Sequence, residues 1–571
     1  MAEITGGELF ARALQAEGIE FLFGLPSPEI DPLLAQLESH GIRLVPFRHE
    51  AAGVHMAEGL YKTTGKVAAV LGNPGPGSAN LLPGVVTALH EGVPVLAITS
   101  QHRLGIVYPS PPSTFQGQDQ LDLFRPAVKW GGPIFEWTRI PEVLRLAFRE
   151  MHNGRPGPVH IELPAPILYA TGDPATTPIW PSARSRAGAP QASDRELDEA
   201  AALLTQAKRP LVIAGSGADR AGARDAVLEI AELLGCPAIP SMAGRASVPA
   251  DHPNFVSGGG PAGDLARHEA DVVLVVGSRL GNLDTPYDSY WGSPEGKRLI
   301  QIDFDPRHFG VSRPVDLAIL ADARVACEGL VNRLHNTVLG HRDGSDLSRY
   351  RTLDAQVAAE LAEPIRQWQG PGIHPAHALG VIGEVFGPEA IYTVDGGNTS
   401  LWAYSLLPPT QPRSYHSILE LGMLGTGIPM AIGAKLGAPD RTVVCVTGDG
   451  AAGFNMMEMQ TAARENLDIT VVVFAEGSWT LEEVNELMRY GTTFGTTQGE
   501  IRWDIVAQGL GCQGLYVDRL EDLQPALRAA RGHAGPSVVC LRTDHDANLA
   551  MPAELISRFF EVYSGPAKPG G

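Results

Sequence analysis

Short apolar runs alternate with amphipathic segments along nearly the whole chain, and the alternation comes in three stretches divided by polar, Pro- and Gly-rich sequence. In the first stretch FLFGL (21–25), RLVPF (43–47), VAAVLG (67–72) and PVLAIT (94–99) read as buried strands, separated by helical segments such as GELFARALQAEG (7–18). Apolar runs of this kind, buried on both faces and joined by helices, predict a parallel sheet. The pattern stops in GDPATTPIWPSARSRAGAPQAS (172–193), a composition suited to an exposed linker. It resumes with PLVIAG (210–215), PAIPS (237–241), DVVLVVG (271–277) and RLIQIDFD (298–305), then fades near VNRLHNTVLGHRDGSDLSRY (331–350), which predicts a second linker. A third set follows: AIYTVD (390–395), TVVCVTGDG (442–450), DITVVVFAEG (468–477) and PSVVCLRTD (536–544). The fold class expected is α/β, with three doubly wound parallel-sheet domains at 1–180, 190–345 and 360–550. Residues 551–571 form a C-terminal tail or lid, with the final SGPAKPGG frayed.

Composition agrees with that picture. A chain of 571 residues has room for three or four domains, and 44% hydrophobic against 19% charged residues is a globular profile. The formal charge of −20 repels phosphate backbones and anionic lipid, which argues against nucleic acid and membrane as partners. No apolar run reaches the ~18 residues of a membrane span, and the acidic opening MAEITGGELFARAL is unlike a signal peptide, so a cytoplasmic location is expected. The cysteines at 236, 327, 445, 512 and 540 form no C-x-x-C pair and read as buried free thiols.

The strongest local chemistry lies where a strand ends in Gly448-Asp449-Gly450 and a helix follows at once. Glycines there let backbone N–H groups approach a diphosphate, the helix start leaves donors unpaired, and Asp449 can hold a hard divalent cation. The next strand ends in Ala475-Glu476, which puts a second carboxylate at the same sheet edge. A G-D-G turn by itself is also compatible with a plain strand-to-helix turn. Glu50, in Arg48-His49-Glu50-Ala51-Ala52, opens the helical segment GVHMAEGLYKTTG and by itself suits a dipole-favoured surface charge.

Taken together, RHEAAGVHMAEGLYKTTG (48–65), NPGPGSANLL (73–82), FQGQDQ (115–120), DGGNTSLW (395–402), LGMLGTGIPMAIGA (421–434) and the G-D-G segment resemble, in order, the thiamine-diphosphate enzymes of the acetolactate synthase, benzaldehyde lyase and 2-hydroxyacyl-CoA lyase group. The resemblance implies pyrimidine-binding, central Rossmann-like and diphosphate-binding domains. It also implies a homodimer or homotetramer whose active sites lie at subunit interfaces. Glu50 becomes the carboxylate on the aminopyrimidine ring that promotes formation of a C2 ylide, and Gln116 an active-site amide facing substrate. Leu424 is implied as the apolar wedge under the cofactor, and Gly422 as the carbonyl that accepts from its amine. Asn398, Thr399, Gly448, Gly450, Ala451 and Ala452 would bind the diphosphate, with Asp449, Glu476 and the Ser478 carbonyl on Mg²⁺. Here the chain departs from the family, which usually carries paired Asn where Ala475-Glu476 stands. Glu29 and Pro26 stand where benzaldehyde lyase has histidines. Glu29, Phe115, Trp479, Thr480 and Leu481 are the implied substrate pocket, whereas Glu482 and Glu483 read as a solvated helix start.

The activity implied is a C–C bond lyase or carboligase acting on 2-hydroxy ketones, 2-hydroxyacyl-CoAs or 2-keto acids through the ylide and an enamine. Its alternatives are an acetolactate synthase-like enzyme, a flavin-linked pyruvate oxidase-like enzyme and a catalytically weak cofactor-binding homologue. The stretch VSGGGPAG (256–263) counts against the acetolactate and flavin readings. ADP, CoA or FAD are the candidate ligands of the central domain.

Overall fold

Each apolar run named above folds as a strand, and the helices between them return every connection to the same edge of a parallel sheet. The computed structural model describes residues 3–108, 113–284, 288–337, 345–407, 409–551, 556 and 560. The first block contains β1 (Ile4–Thr5), β2 (Phe21–Phe23), β3 (Arg43–Val45), β4 (Ala69–Gly72), β5 (Leu96–Gln101), β6 (Trp130–Pro133), β7 (Val159–Pro164) and β8 (Thr171–Gly172). Six of these make a parallel sheet ordered β3-β2-β4-β5-β7-β6, and β1 pairs antiparallel with β8. The second block holds β9 (Pro210–Ala214), β10 (Ala238–Pro240), β11 (Val272–Val276), β12 (Arg298–Asp303) and β13 (Leu317–Leu320), ordered β10-β9-β11-β12-β13. The third holds β14 (Ile391–Asp395), β15 (Tyr415–Ser417), β16 (Val443–Gly448), β17 (Ile469–Ala475), β18 (Gln513–Val517) and β19 (Ser537–Arg542), ordered β15-β14-β16-β17-β19-β18. Three parallel sheets, each covered by helices, is the α/β class the sequence predicts.

The first and third sheets are welded together within the chain. Helix Glu50–Thr64 packs on helix Gly427–Gly437, and one apolar core runs from Val54, Met56 and Leu60 to Ile428, Ala431 and Ile432. Glycine sets this approach: a methyl on Gly59 would run into the Met430 carbonyl, and one on Gly433 into the Met56 carbonyl. Glu458 ties the same seam from the other side, accepting from the Arg48 and His49 N–H groups at 2.8 and 2.9 Å. Each buried Leu, Ile or Met here contributes about 1.5–3 kcal/mol of apolar transfer.

The expected linker at 331–350 begins inside a helix. Ala323–Thr337 continues through it, with Leu330, Val331 and Leu334 in the central core and Asn332, Arg333 and Asn336 on the polar face. A second helix starts at Ser345, and 338–344 lie outside the described residues. The first linker is largely exposed, but Ser182 within it is buried and donates through N–H and hydroxyl to Glu17. Most of the tail or lid at 551–571 is also outside the described residues. All five cysteines are free and buried. Among the described residues no helix is long and apolar enough to cross a membrane.

Candidate active site in two halves

In an open parallel sheet, side chains just past the carboxyl ends of the strands share one edge, and ligands bind there. Glu29 follows β2, Glu50 follows β3, Gly75 follows β4 and His102 follows β5. Glu50 opens its helix behind His49, whose ring caps Ala51 N–H. Its Oε2 accepts from Asn80 Nδ2 at 3.0 Å. Oε1 stands beside Gly77, where an added Cβ would approach it to 3.3 Å. Gly75 sits at a φ of 70° against the Gln116 backbone, and Gln116 itself adopts a φ of 53°. His102 links the rest, its Nε2 2.9 Å from the Phe115 carbonyl and its Nδ1 3.8 Å from Glu29 Oε1. Phe115 is 78% exposed, so its ring is poised on the surface of this half rather than in a closed pocket. Glu50, Gln116, Glu29 and Phe115 are thus gathered on one sheet edge.

The second half is a cavity of ≈ 290 Å³ at the same edge of the third sheet. Two helices begin at its wall: Asn398–Leu406 behind Gly397, which has no side-chain cap, and Asp449–Asn455 behind Gly448, whose Gly450 N–H is taken by Asp449 Oδ1. By contrast, the N-terminus of Gly427–Gly437 is satisfied by Asp395, which accepts from Gly427 N–H at 2.8 Å. The uncapped start of Asn398–Leu406 and its helix dipole, aimed at this space, favour an anion. Glycine keeps the space open and its walls close: a Cβ on Gly450 would meet Gln498 Nε2 at 2.8 Å and crowd the Trp479 ring. A Cβ on Gly397 would meet Leu481 at 2.9 Å. Leu424, Gly422, Ala451, Ser478, Trp479, Thr480 and Leu481 line the cavity. Ala452 does not line it; it packs in the core below.

Asp449 is held firmly, its Oδ1 accepting from Gly450 N–H at 2.8 Å and its Oδ2 from Glu476 and Gly477 N–H at 2.9 and 2.6 Å. Burial pushes its carboxyl up from the usual range, against the pull of those N–H groups. Glu476 is pushed up as well, by burial first and also by the Asp449 charge. Its Oε1 accepts from Thr480 Oγ1 and from Asn548 Nδ2, while Oε2 is buried with no hydrogen-bond partner. A divalent cation between two such carboxylates would offset their desolvation, and both are oxygen donors of the kind a hard cation takes. Among the described residues no group of three or more His, Cys, Asp or Glu side chains is arranged to hold a metal. The solvated reading of Glu483 is overturned: it is 6% exposed and accepts from Thr496 Oγ1 at 2.7 Å, because the loop carrying Thr496 folds over the first helical turn. Glu482, its neighbour, is exposed.

Three family models match the chain in succession: the thiamine pyrophosphate enzyme N-terminal TPP binding domain over 4–123, the central domain over 197–330, and the C-terminal TPP binding domain over 395–541. The acetolactate synthase isozyme 3 large subunit of Escherichia coli (strain K12) is 31% identical over 493 residues, 83% of this chain and 82% of that protein. The chain belongs to the thiamine pyrophosphate enzyme family. Other members similar to it are a probable acetolactate synthase large subunit of Methanococcus aeolicus, 29% identical over 96% of this chain and 93% of that one, and the sulfoacetaldehyde acetyltransferase of Castellaniella defragrans, 29% identical over 92% and 90%.

The cavity suits the diphosphate of a thiamine pyrophosphate enzyme on its own geometry, through the uncapped helix start at Asn398 and the glycine walls. Among the described residues, none of the cavity's lining comes from the first block, which holds Glu50. A second cavity of ≈ 240 Å³ opens between the blocks, where Arg155, Arg220 and Arg279 converge beyond the ends of β9, β11 and β12. Arg155 is pushed down to about 9, chiefly by burial and then by the other two guanidinium groups. Sequence reasoning missed Asn80, His102, His545 and Asn548; each lies past a strand end or on the first turns of the helix that follows, the signal that could have found them.

Proposed function

We propose that the protein is a thiamine-diphosphate- and Mg²⁺-dependent lyase or carboligase that breaks or makes a C–C bond beside a carbonyl, with each active site built from two copies of the chain. The observation that carries this reading is the uncapped start of helix Asn398–Leu406 and the glycine-walled turn at Gly448, both opening on a cavity flanked by Asp449 and Glu476. The backbone of Gly448, Gly450 and Ala451, with Asn398 and Thr399, would hold the diphosphate, and Asp449, Glu476 and the Ser478 carbonyl the cation. Bound thiamine diphosphate would supply a nucleophilic carbon for addition to a carbonyl and a cationic ring as the sink for the electron pair of the bond that breaks. Glu50, contributed by the second copy and oriented by Asn80, holds a proton at its carboxylate against the ring nitrogen. Leu424 would pack against the cofactor rings, and the Gln116 amide would donate to the substrate carbonyl.

Assembly of two copies is supported by exposed apolar groups on the helices that begin at the cavity: Phe454, Met488 and Tyr490, with Phe494 just beyond. Ile418, Leu421, Met423, Trp479 and Leu481 wall the cavity, and among the described residues no Lys, Arg or His lines it. That lining favours a neutral acyl group, as in a 2-hydroxy ketone, over a sulfonate or a second carboxylate. The similarity to acetolactate synthases supports the alternative donor, a 2-keto acid. For the central cavity, lined by Arg155, Arg220 and Arg279 together with Glu91, Asp284, Asp303, Asp322 and Glu420, we propose a nucleotide-bearing ligand, ADP, CoA or FAD, whose phosphates the guanidinium groups would meet.

The test is mass spectrometry and absorbance on protein purified with thiamine diphosphate and Mg²⁺, then a turnover screen of acyloins, 2-hydroxyacyl-CoAs, pyruvate and sulfoacetaldehyde. Bound thiamine diphosphate with acyloin or acyl-CoA cleavage supports the reading. Turnover of pyruvate alone moves the assignment to the acetolactate synthase type, a flavin spectrum moves it to the oxidase type, and failure to bind thiamine diphosphate overturns it.

A further inference from the structure

Three elements meet behind Glu476: the end of β17, the first turn of helix Thr480–Tyr490, and the short helix His545–Leu549 that follows β19. The imidazole of His545 lies between two carboxylates. Its Nε2 is 3.0 Å from Glu483 Oε2 and its Nδ1 3.8 Å from Glu476 Oε2. Glu483 is fixed in turn by Thr496, and Glu476 Oε1 by Thr480 and Asn548. The two carboxylate side chains are only 7% and 8% exposed. Yet Glu476 Oε2, Glu483 Oε2 and His545 Nδ1 all lack an aligned hydrogen bond.

A purely structural bridge would close those contacts, because an unsatisfied buried polar atom costs about 1–3 kcal/mol. The arrangement instead clamps one oxygen of Glu476 and leaves the other, 3.8 Å from the imidazole, without a hydrogen bond on a residue that, with Asp449, lines the cavity. Groups that contact a metal ligand from behind set its orientation and its basicity. We infer that His545, anchored by Glu483, is a positioning residue that aims the Glu476 carboxylate at the divalent cation. The inference rests on the proposal that Glu476 is a cation ligand.

The test is calorimetric titration of MgCl₂, and of MnCl₂ as a second probe, into the full-length protein holding saturating thiamine diphosphate. His545→Ala should raise the cation Kd about tenfold, within the span expected of groups behind a metal ligand. Glu483→Gln, which frees the imidazole without touching Glu476, should give a smaller rise, and it carries the test if His545→Ala does not fold. His545→Gln, which keeps an N–H donor, should recover most of the affinity. The decisive readout is coupling: in the Glu476→Gln background His545→Ala should change the Kd less than about twofold. Equal effects of His545→Ala in both backgrounds, or a Kd unmoved by it while Glu476→Gln weakens binding, overturn the positioning role alone. A Kd unmoved by Glu476→Gln overturns the ligand assignment itself.

Discussion

Gly450→Ala probes the cavity wall at its tightest point. The new methyl would stand 2.8 Å from both Gln498 Nε2 and Trp479 Cε3, with the Trp479 Cζ3 atom nearer still. Something must move, and the indole is the group free to do so, since it is only half-buried and starts the helix Thr480–Tyr490. Overpacking of this kind costs about 1–3 kcal/mol, which in a domain of this size lowers the melting temperature by several degrees. The indole borders the space assigned to the cofactor, so the larger effect should fall on binding: about a tenfold rise in the thiamine diphosphate Kd, or ~1.4 kcal/mol. Gly453→Ala is the internal control. It lies on the same helix, and its methyl would come no closer than 3.9 Å to Trp503. Calorimetric titration of thiamine diphosphate with Mg²⁺ in excess, run beside thermal melts of the apoprotein, reads both effects. A Gly450→Ala protein that melts lower yet binds with parental affinity would refute the assignment of this cavity to the diphosphate.

Asp449→Ala removes the acceptor of three backbone N–H groups and a carboxylate of the cation pair, so the purified protein should no longer retain thiamine diphosphate. EDTA should strip cofactor from the parent in the same way, as measured by mass spectrometry. Gly433→Ala drives a methyl into the Met56 carbonyl at the helix crossing and should destabilise the chain by at least about 2 kcal/mol in urea melts; a neutral effect would mean the helices do not pack this closely. His416 is buried, bonded to Thr63 Oγ1 at 2.9 Å, and held by burial down to about 3 from 6.5. Its folded value is depressed, so the unfolded chain takes up the proton first, and the stability gained from the neutral ring is present above pH ~6.5 and lost as pH falls. The stability advantage of the parent over His416→Gln should therefore shrink by roughly 2 kcal/mol between pH 7 and 5. An advantage that grows toward low pH would contradict the buried neutral ring.

The strands legible in the sequence were the long apolar runs; those that escaped notice are short, or polar within. β6 is Trp-Gly-Gly-Pro at a sheet edge, β15 and β18 are edges too, and β7 places His160 and Glu162 inside the first sheet. Those polar groups are bonded, His160 to Thr99 and Glu162 to Tyr108 and Gln120, which no periodicity reveals. The G-D-G turn and the carboxylate after the next strand were readable because both sit at strand ends, where spacing carries position. The Glu476, His545 and Glu483 contact was not readable, since 545 − 476 = 69 residues separate its ends and only the order of the sheet joins them. Glu483 was misjudged for a related reason: an acid in a first helical turn is usually solvated, and here a distant loop covers it.

The account turns on an active site whose halves come from two copies, Glu50 from one and Asp449 from the other. Mixing the inactive Glu50→Gln and Asp449→Ala proteins, with subunits allowed to exchange, tests it directly. Random pairing makes about half the dimers mixed, each with one intact site of two, so activity should return to about a quarter of the parent's. A mixture that exchanges subunits and stays inactive would contradict the shared site.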